Sequence, residues 1–449
     1  MKNFILKNKK ISIFLLAMII VSIFYKVYKV LELKYSGTNK EVVTILLKND
    51  EIGKGIDKLI SQYNKEHDDI YIKLMLSNDD YDNLAYTKLA NQYDIDILEY
   101  IGKTLIEKNF IQPLENYNID LSPVNDDSLF LYNDRIIGVK YGLAMPKLMY
   151  NKEILVGSGI NPEETPKTLD DLIVMGEKIK KSYPDIVPIN LSLSYIHDLF
   201  AILGTPATSE STTYPTFWNY KTGEYDYSGL NLVLEKFNEM YEKGIINRDF
   251  ESKTSEELFN NFKYGEAAIT TTNYYEKYSV RDRLEGMDLG FSNIPFIKEG
   301  NGSLYYYTYP RTLVVANNER DENPIYKGNE EKLNKHKEAV KEVYEWMLSE
   351  GVTNYLVEND NNFTSFGNNY FASDMYDGLN DNKGYKHALK DPTEVLVGDS
   401  ELIKKYIFSM IKGEKDIPSG LKELKDKMND FINKNERNKD VELDKYKEQ

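Results

Sequence analysis

The sequence predicts an α/β protein of two lobes that share the chain discontinuously, behind an N-terminal membrane-anchor helix. Three observations lead there. Strand and helix patterns alternate from residue 42 onward, as in a doubly wound parallel sheet. The chain has 449 residues, more than one core serves well, so two lobes of ordinary size are expected. Two separated stretches have the character of linking segments: residues 138–153 (GVKYGLAMPKLMYNKE) and 265–275 (GEAAITTTNYY). The first is extended, turns through Gly142 and is restrained by Pro146. Halves joined by several such crossings can close on a ligand.

The elements follow in order. Lys2, Lys7, Lys9 and Lys10 precede the apolar run 11–24 (ISIFLLAMIIVSIF), a basic region followed by a hydrophobic one, as in an export signal. Tyr25, Lys26, Val27, Tyr28 and Lys29 come next, which is no small-residue cleavage site. Lipid attachment would need a cysteine, and the chain has none. The expectation is an uncleaved signal-anchor over 1–33, with Lys26 and Lys29 snorkelling, that holds the protein at the extracellular face of the cell membrane. The alternative is a buried helix of a cytosolic protein. Residues 34–40 read as a polar linker.

Residues 42–49 (VVTILLKN) read as a buried strand. Ile52, Ile56, Leu59, Ile60 and Tyr63 mark one helix face, and Ile70, Ile72, Leu74 and Leu76 alternate as in a strand. A helix through Leu84, Ala85 and Leu89 and a strand at 94–100 complete the first unit. Asn133-Asp134 reads as a hairpin turn. After the first crossing, Thr165 or Thr168 caps a helix with Leu169, Leu172, Ile173 and Ile179 inward. A strand at 187–193 and a helix from Leu230 to a stop at Gly244 follow. After the second crossing come a strand at 311–317, a helix at 337–348, a third crossing at 349–351 and a long Asn/Asp/Gly-rich loop at 359–384. A helix with Leu421, Leu424, Met428, Phe431 and Ile432 inward precedes a charged tail that is expected to stay solvated. The resulting division is 41–145 plus 270–350 for one lobe, 146–269 plus 351–435 for the other, and 436–449 for the tail.

Composition excludes several functions. Apolar residues at 41% with 29% charged residues describe a globular chain. A net charge of −16 argues against nucleic acid as a partner. Zero cysteines remove disulfides, thiolate nucleophiles and Cys-ligated zinc. The four histidines, His67, His197, His336 and His387, have no paired metal-binding spacing. Asp374, Asp377, Asn380 and Asp381 miss the calcium-loop pattern. Gly53-Lys54-Gly55 lacks the third glycine of a dinucleotide fingerprint. No cofactor or metal is expected, and no catalytic motif is present.

Several segments, in order, resemble the extracellular solute-binding proteins of ABC importers, the sugar- and oligosaccharide-binding, maltose-binding-protein-like group. They are residues 63–72 (YNKEHDDIYI), 91–97 (NQYDIDI, without the family's usual Gly and Pro), Tyr141-Gly142-Leu143-Ala144 with Tyr150-Asn151-Lys152, 166–172 (PKTLDDL), 262–269 (FKYGEAAI) and 413–424. The resemblance runs from about residue 42 to about residue 433. It implies a type II periplasmic-binding-protein-like fold, a carbohydrate ligand held between the lobes, an ABC permease as membrane partner and a monomeric binding protein with no enzyme activity. Family members of this kind are usually tethered through a lipidated cysteine. Here a transmembrane anchor would serve instead, and a membrane-tethered sensor of the same fold is the alternative. A carbohydrate-active hydrolase is the other.

Ligands of open α/β sheets sit beyond the carboxyl ends of strands. That rule singles out Asp50 after the first strand and Glu99 and Tyr100 at the end of the third, because ionised carboxylates accept strongly from hydroxyls. Asp50 serves equally as a helix cap. Asn273, Tyr274 and Tyr275 stand where the resemblance places a sugar-stacking aromatic, although any one of 36 tyrosines can equally be core or surface. Tyr195 and His197 open a helix after a strand. Arg311, beside the aromatic run 305–310, could grip an anionic group or pair with a nearby acid.

Overall fold

The computed structural model describes residues 40–447, apart from 50, 78–80, 92–94, 100–103, 125, 145, 195, 208–216, 274–279, 281–282, 299–303, 320–325, 327, 359–384, 388–391, 393–395, 397 and 440. The anchor expected over 1–33 and the loop expected over 359–384 lie outside these residues. Among the described residues no helix is long and apolar enough to cross a membrane.

The first lobe opens with β1 (Glu41–Lys48), α1 (Glu51–Glu66), β2 (Ile70–Ser77), α2 (Tyr81–Asn91) and β3 (Ile97–Glu99). β1 lies parallel to β2 along its length, from Glu41↔Ile70 to Lys48↔Ser77, and parallel to β3 at Ile45↔Ile97. Both faces of β1 are buried, which explains its unbroken apolar run. Val43, Ile45 and Leu47 meet α1, while Leu46 meets Ala85 and Leu89 of α2. α3 (Thr104–Glu107) and β4 (Ile111–Gln112) lead to the hairpin of β5 (Leu129–Tyr132) and β6 (Arg135–Ala144). Its turn is the expected Asn133-Asp134, both in the left-handed region at φ 49° and 58°, as a two-residue turn between twisted strands requires.

The chain then enters a second sheet with β7 (Pro146–Asn151). α4 (Lys152–Gly157), α5 (Leu169–Ser182), β8 (Val187–Asn190), α6 (Ile196–Ala207), the small hairpin β9 (Trp218–Asn219) and β10 (Glu224–Tyr225), α7 (Asn231–Glu242), α8 (Ser255–Lys263), β11 (Ala267–Asn273) and β12 (Leu289–Asn293) follow. Thr168 caps α5: its Oγ1 accepts from Asp171 N and its own N–H donates to Asp171 Oδ2, a reciprocal box that starts the helix. The second sheet runs β12-β7-β11-β8. Leu148, Ile189 and Ile269 face one core with α5 and α7, and Met149 and Phe291 face another with Phe259 and Phe262 of α8.

β13 (Leu304–Ala316) returns to the first sheet and inserts antiparallel between β3 and β6, so that sheet runs β2-β1-β3-β13-β6-β5. α9 (Glu330–Leu348) and α10 (Glu350–Glu358) pack on it through Val340, Val343, Tyr344, Val352 and Leu356. β14 (Tyr385–His387) pairs with β13. α11 (Ser400–Ile411) and α12 (Ile417–Lys434) return to the second core.

Four expectations are corrected by this pairing. The described part of the stretch expected as a crossing, 265–273, is not one: β11 pairs with β7 and β8 inside the second sheet, and β12 joins them, so 267–273 and 289–293 belong with the second lobe and not the first. Their alternation buries both faces, which a bare linking segment would not do. Residues 349–351 are not a crossing either, since α10 stays on the first core. The strand expected from Arg311 begins at Leu304, and its ladder shifts register between Thr308 and Arg311, where Pro310 has no N–H to donate. The tail is not simply solvated. Val441, Leu443 and Tyr446 pack on the second core, and Trp218 Nε1 donates to Tyr446 O at 2.9 Å.

One polar cluster ties the first lobe together. His336 of α9 is 3% exposed, with Nε2 2.8 Å from Asp96 Oδ1 and Nδ1 3.1 Å from Glu41 Oε1. Asp96 also accepts from Thr44 N at 2.8 Å and Asn318 Nδ2 at 2.7 Å. Burial by itself would lower the imidazole pKa. The two carboxylates outweigh it and hold the group at about 9, so His336 is an imidazolium clamped between β1 and β3.

Candidate functional site

Topology brings two strand ends together. In the first sheet β1, β2 and β3 are parallel and end at Lys48, Ser77 and Glu99. β13 runs against β3 with Leu313 opposite Glu99, and β6 runs against β13 with Val139 opposite Leu313 and Tyr141 opposite Arg311. Arg311 and Tyr141 therefore stand one side-chain repeat beyond the Glu99 row, toward the carboxyl ends of the parallel strands. β6 continues to Ala144 at that edge, and β7 starts at Pro146 in the second sheet.

Pro146 is opposite Asn273, the last residue of β11, and Lys147 is opposite Asn293, the last of β12. β8 is parallel to β11 and ends at Asn190 on the same side. The connection from β6 to β7 thus sets the carboxyl edge of the first sheet against the carboxyl edge of the second. Open α/β sheets hold ligands beyond edges of this kind.

The side chains on these edges differ in what they do. Glu99 is 2% exposed and its Oε2 accepts from Lys48 N at 2.9 Å. Its own N–H donates to Tyr81 Oη at 2.9 Å, and that hydroxyl donates to Leu46 O at 2.8 Å. The expected acceptor thus also locks the end of β1 to the end of β3. Lys147 is fully buried at the start of β7, where Nζ donates to Asn293 Oδ1 at 2.7 Å. Such a charge is retained only with hydrogen-bond partners. Asn273 is buried at the same edge. Beyond β8, the hydroxyls of Ser192 and Ser194 both donate to Lys253 O, and Lys404 Nζ donates to Ser194 O at 3.2 Å. These bonds hold the segment that leads into α6.

Asp198 lies in the first turn of α6 and was not singled out by the sequence reading. Burial pushes its carboxyl up to about 6, and among the described residues neither a cation nor a hydrogen-bond donor meets it. A buried carboxylate with no partner among the described residues is able to accept from an incoming hydroxyl or amine. A signal was present: it is the one acidic residue in the apolar run IHDLFAILGTPA.

Of the expected contacts, Glu99 closes β3, Asn273 closes β11 and Arg311 lies on β13, while His197 lies in the first turn of α6. Asp50, Tyr100, Tyr195, Tyr274 and Tyr275 lie outside the described residues. Among the described residues no group of His, Asp and Glu is arranged to hold a metal ion.

The family profile described as bacterial extracellular solute-binding protein matches residues 48–354, more than half of the chain, and the chain belongs to that family. A melibiose/raffinose/stachyose-binding protein, MelE of Bacillus subtilis, is 24% identical over 285 residues, 60% of this chain and 65% of its own. The chain thus spans just under two thirds of that curated relative. Among solved structures, a cyclic alpha-maltosyl-1,6-maltose binding protein from Arthrobacter globiformis superposes with a TM-score of 0.66 at 13% identity, over 88% of this chain and all of the other. An ABC substrate-binding protein from Listeria monocytogenes in complex with cycloalternan gives 0.64 at 14% identity, over 88% and 99%. At these identities the structures establish a shared two-lobed α/β fold.

Proposed function

We propose that this protein captures a sugar or oligosaccharide between its two lobes, outside the cell, as the binding component of an ABC importer. The observation that carries the reading is the opposition of two carboxyl edges across the β6–β7 connection, in a chain of the extracellular solute-binding family. The relative named for melibiose, raffinose and stachyose points to carbohydrate as the ligand class. Ligand that touches both edges favours one lobe arrangement over others, and a membrane permease reads that arrangement and takes the cargo. No bond is made or broken. On the first edge the contacts are Glu99, Tyr100, Arg311 and the segment around Asp50. On the second they are Asn273, Tyr274, Tyr275, Tyr195, His197 and Asp198. Residues 1–33 serve as an uncleaved anchor, the division into lobes follows sheet membership, and the protein acts as a monomer.

The test is a thermal-shift screen of the purified chain against mono- and oligosaccharides, peptides, polyamines and phosphate esters. A ligand at a thousand times its dissociation constant stabilises by about 4 kcal/mol. A shift by oligosaccharides is expected. A screen in which only peptides or phosphate esters raise the melting temperature rules out the carbohydrate assignment.

A further inference from the structure

We propose that the C-terminal segment after α12 is an inter-lobe strap, whose Lys445–Asp134 ion pair biases the equilibrium between lobe arrangements. The inference rests on the two-lobed fold and not on the identity of the ligand.

The strap has one end built into the second lobe. Asn438 is buried and its Nδ2 donates to Ile432 O at 3.3 Å, which turns the chain after α12. Val441, Leu443 and Tyr446 then lie against the second core, and Trp218, itself 1% exposed, donates from Nε1 to Tyr446 O at 2.9 Å. Lys447 lies so close to the β9–β10 turn that a Cβ on Gly223 would meet its Cε at 2.1 Å. A merely charged, solvated tail would make none of these contacts.

Its other end reaches the first lobe. Lys445 Nζ is 2.6 Å from Asp134 Oδ1 and 2.5 Å from Asp134 Oδ2, and 3.1 Å from Glu442 Oε2 within the strap. Asp134 is the second residue of the β5–β6 turn, with φ at 58°. The turn is rigid for its length, because both of its residues are held in the left-handed region between paired strands. The side chain is thus presented from a defined platform and not from a mobile loop. Hydrogen bonds to Asp134 and Glu442 raise the lysine pKa, so the cation is present throughout the physiological range.

Asp134 begins the strand whose far end, Ala144, leads into the second lobe. The strap therefore adds a tie between the lobes about ten strand residues away from the β6–β7 connection, roughly 30 Å along an extended strand. A rotation about the connecting segments displaces points far from them by more than the few ångströms that an ion pair tolerates. The pair belongs to the arrangement seen here and is lost in a rotated one. Because both partners are partly exposed, the bias is modest, on the order of two- to fivefold in the population ratio. A bias of that size changes apparent ligand affinity without touching the ligand.

The experiment uses the full chain without ligand. The absence of native cysteine allows one spin-labelled pair to be introduced cleanly, Tyr71→Cys on β2 and Val156→Cys on α4, both exposed positions on different lobes. Inter-label distance distributions are compared for the parent, for Lys445→Glu, and for the charge swap Asp134→Lys with Lys445→Asp. The parent is expected to show a dominant distance, Lys445→Glu a second or broadened population, and the swap a return toward the parent. Superimposable distributions in all three overturn the strap, as does a swap that behaves like the single variant. A carbohydrate screen that fails would leave this measurement, made on the apo protein, unaffected.

Discussion

The clearest energetic consequence of the fold concerns His336. Its folded pKa of about 9 stands above the ordinary value of 6.5. A group whose folded pKa is raised contributes stability that is fully present below its unfolded pKa and lost as pH rises through the folded one. The window is therefore pH 6.5 to 9. The difference of about 2.5 units at 1.36 kcal/mol each amounts to about 3 kcal/mol for the first lobe. Replacing the imidazolium with His336→Gln leaves buried Asp96 without that cation, while Glu41 keeps Lys335 at 3.6 Å, and loss of one member of such a cluster costs about 3 to 5 kcal/mol. The assay can be lobe-specific, because the chain has two tryptophans: Trp346 lies on α9 against Tyr63 in the first lobe, and Trp218 is buried in the second. In a Trp218→Phe background, the urea midpoint of Trp346 fluorescence should fall from pH 6.5 to 9 in the parent. In the His336→Gln variant it should start lower and stay nearly flat over that range. Equal slopes in the two proteins would refute the charged clamp.

Three further substitutions test the same geometry. Asp198→Asn should weaken carbohydrate binding by about ten- to a hundredfold, as expected for loss of a hydrogen bond to a charged group, read by calorimetry. The same change should raise the stability of the ligand-free protein above pH 6 by up to about 3 kcal/mol. A carboxyl held near 6 when folded and near 3.8 when unfolded disfavours the folded state once it ionises, and unfolding titrations at pH 5 and 7.5 read the difference. Gly53→Ala should destabilise the first lobe by about 1 to 3 kcal/mol, because a Cβ there would stand 2.3 Å from Lys48 O, and the urea midpoint of Trp346 fluorescence measures the loss. Trp218→Phe removes the bond to Tyr446 O, so limited proteolysis should release the C-terminal segment faster than in the parent, with about 1 kcal/mol lost from its anchoring.

The alternating first unit was legible because its signals are local. The run 42–49 is apolar on both faces because both faces are covered, and Asn133-Asp134 announces its turn by residue type alone. Thr168 and Asp171 read as a cap because the capping box spans only three positions. The candidate site was legible in part. Glu99 was placed by the rule about strand ends, Asn273 by the resemblance and Arg311 by the aromatic run beside it, but which sheet edge each one stands on depends on which strand pairs with which. The sequence reading assigned residues 265–275 to a crossing, since a buried strand and a crossing strand share a composition and only their ladder partners differ. Asp198 was passed over because one acid in a helix is common, and what distinguishes it is its burial with no partner among the described residues.

By itself, then, the sequence determined the class of architecture, the helix starts and turns, and the exclusion of thiol chemistry. These rest on backbone preference and hydrophobic period, which act over a few residues. The tertiary structure decided sheet membership of β11 to β13, the charged state of His336 between residues 41 and 96, and the docking of the tail on Trp218 with its reach to Asp134. Each of these joins residues far apart along the chain, where electrostatics and burial depend on distances that the order of amino acids does not contain.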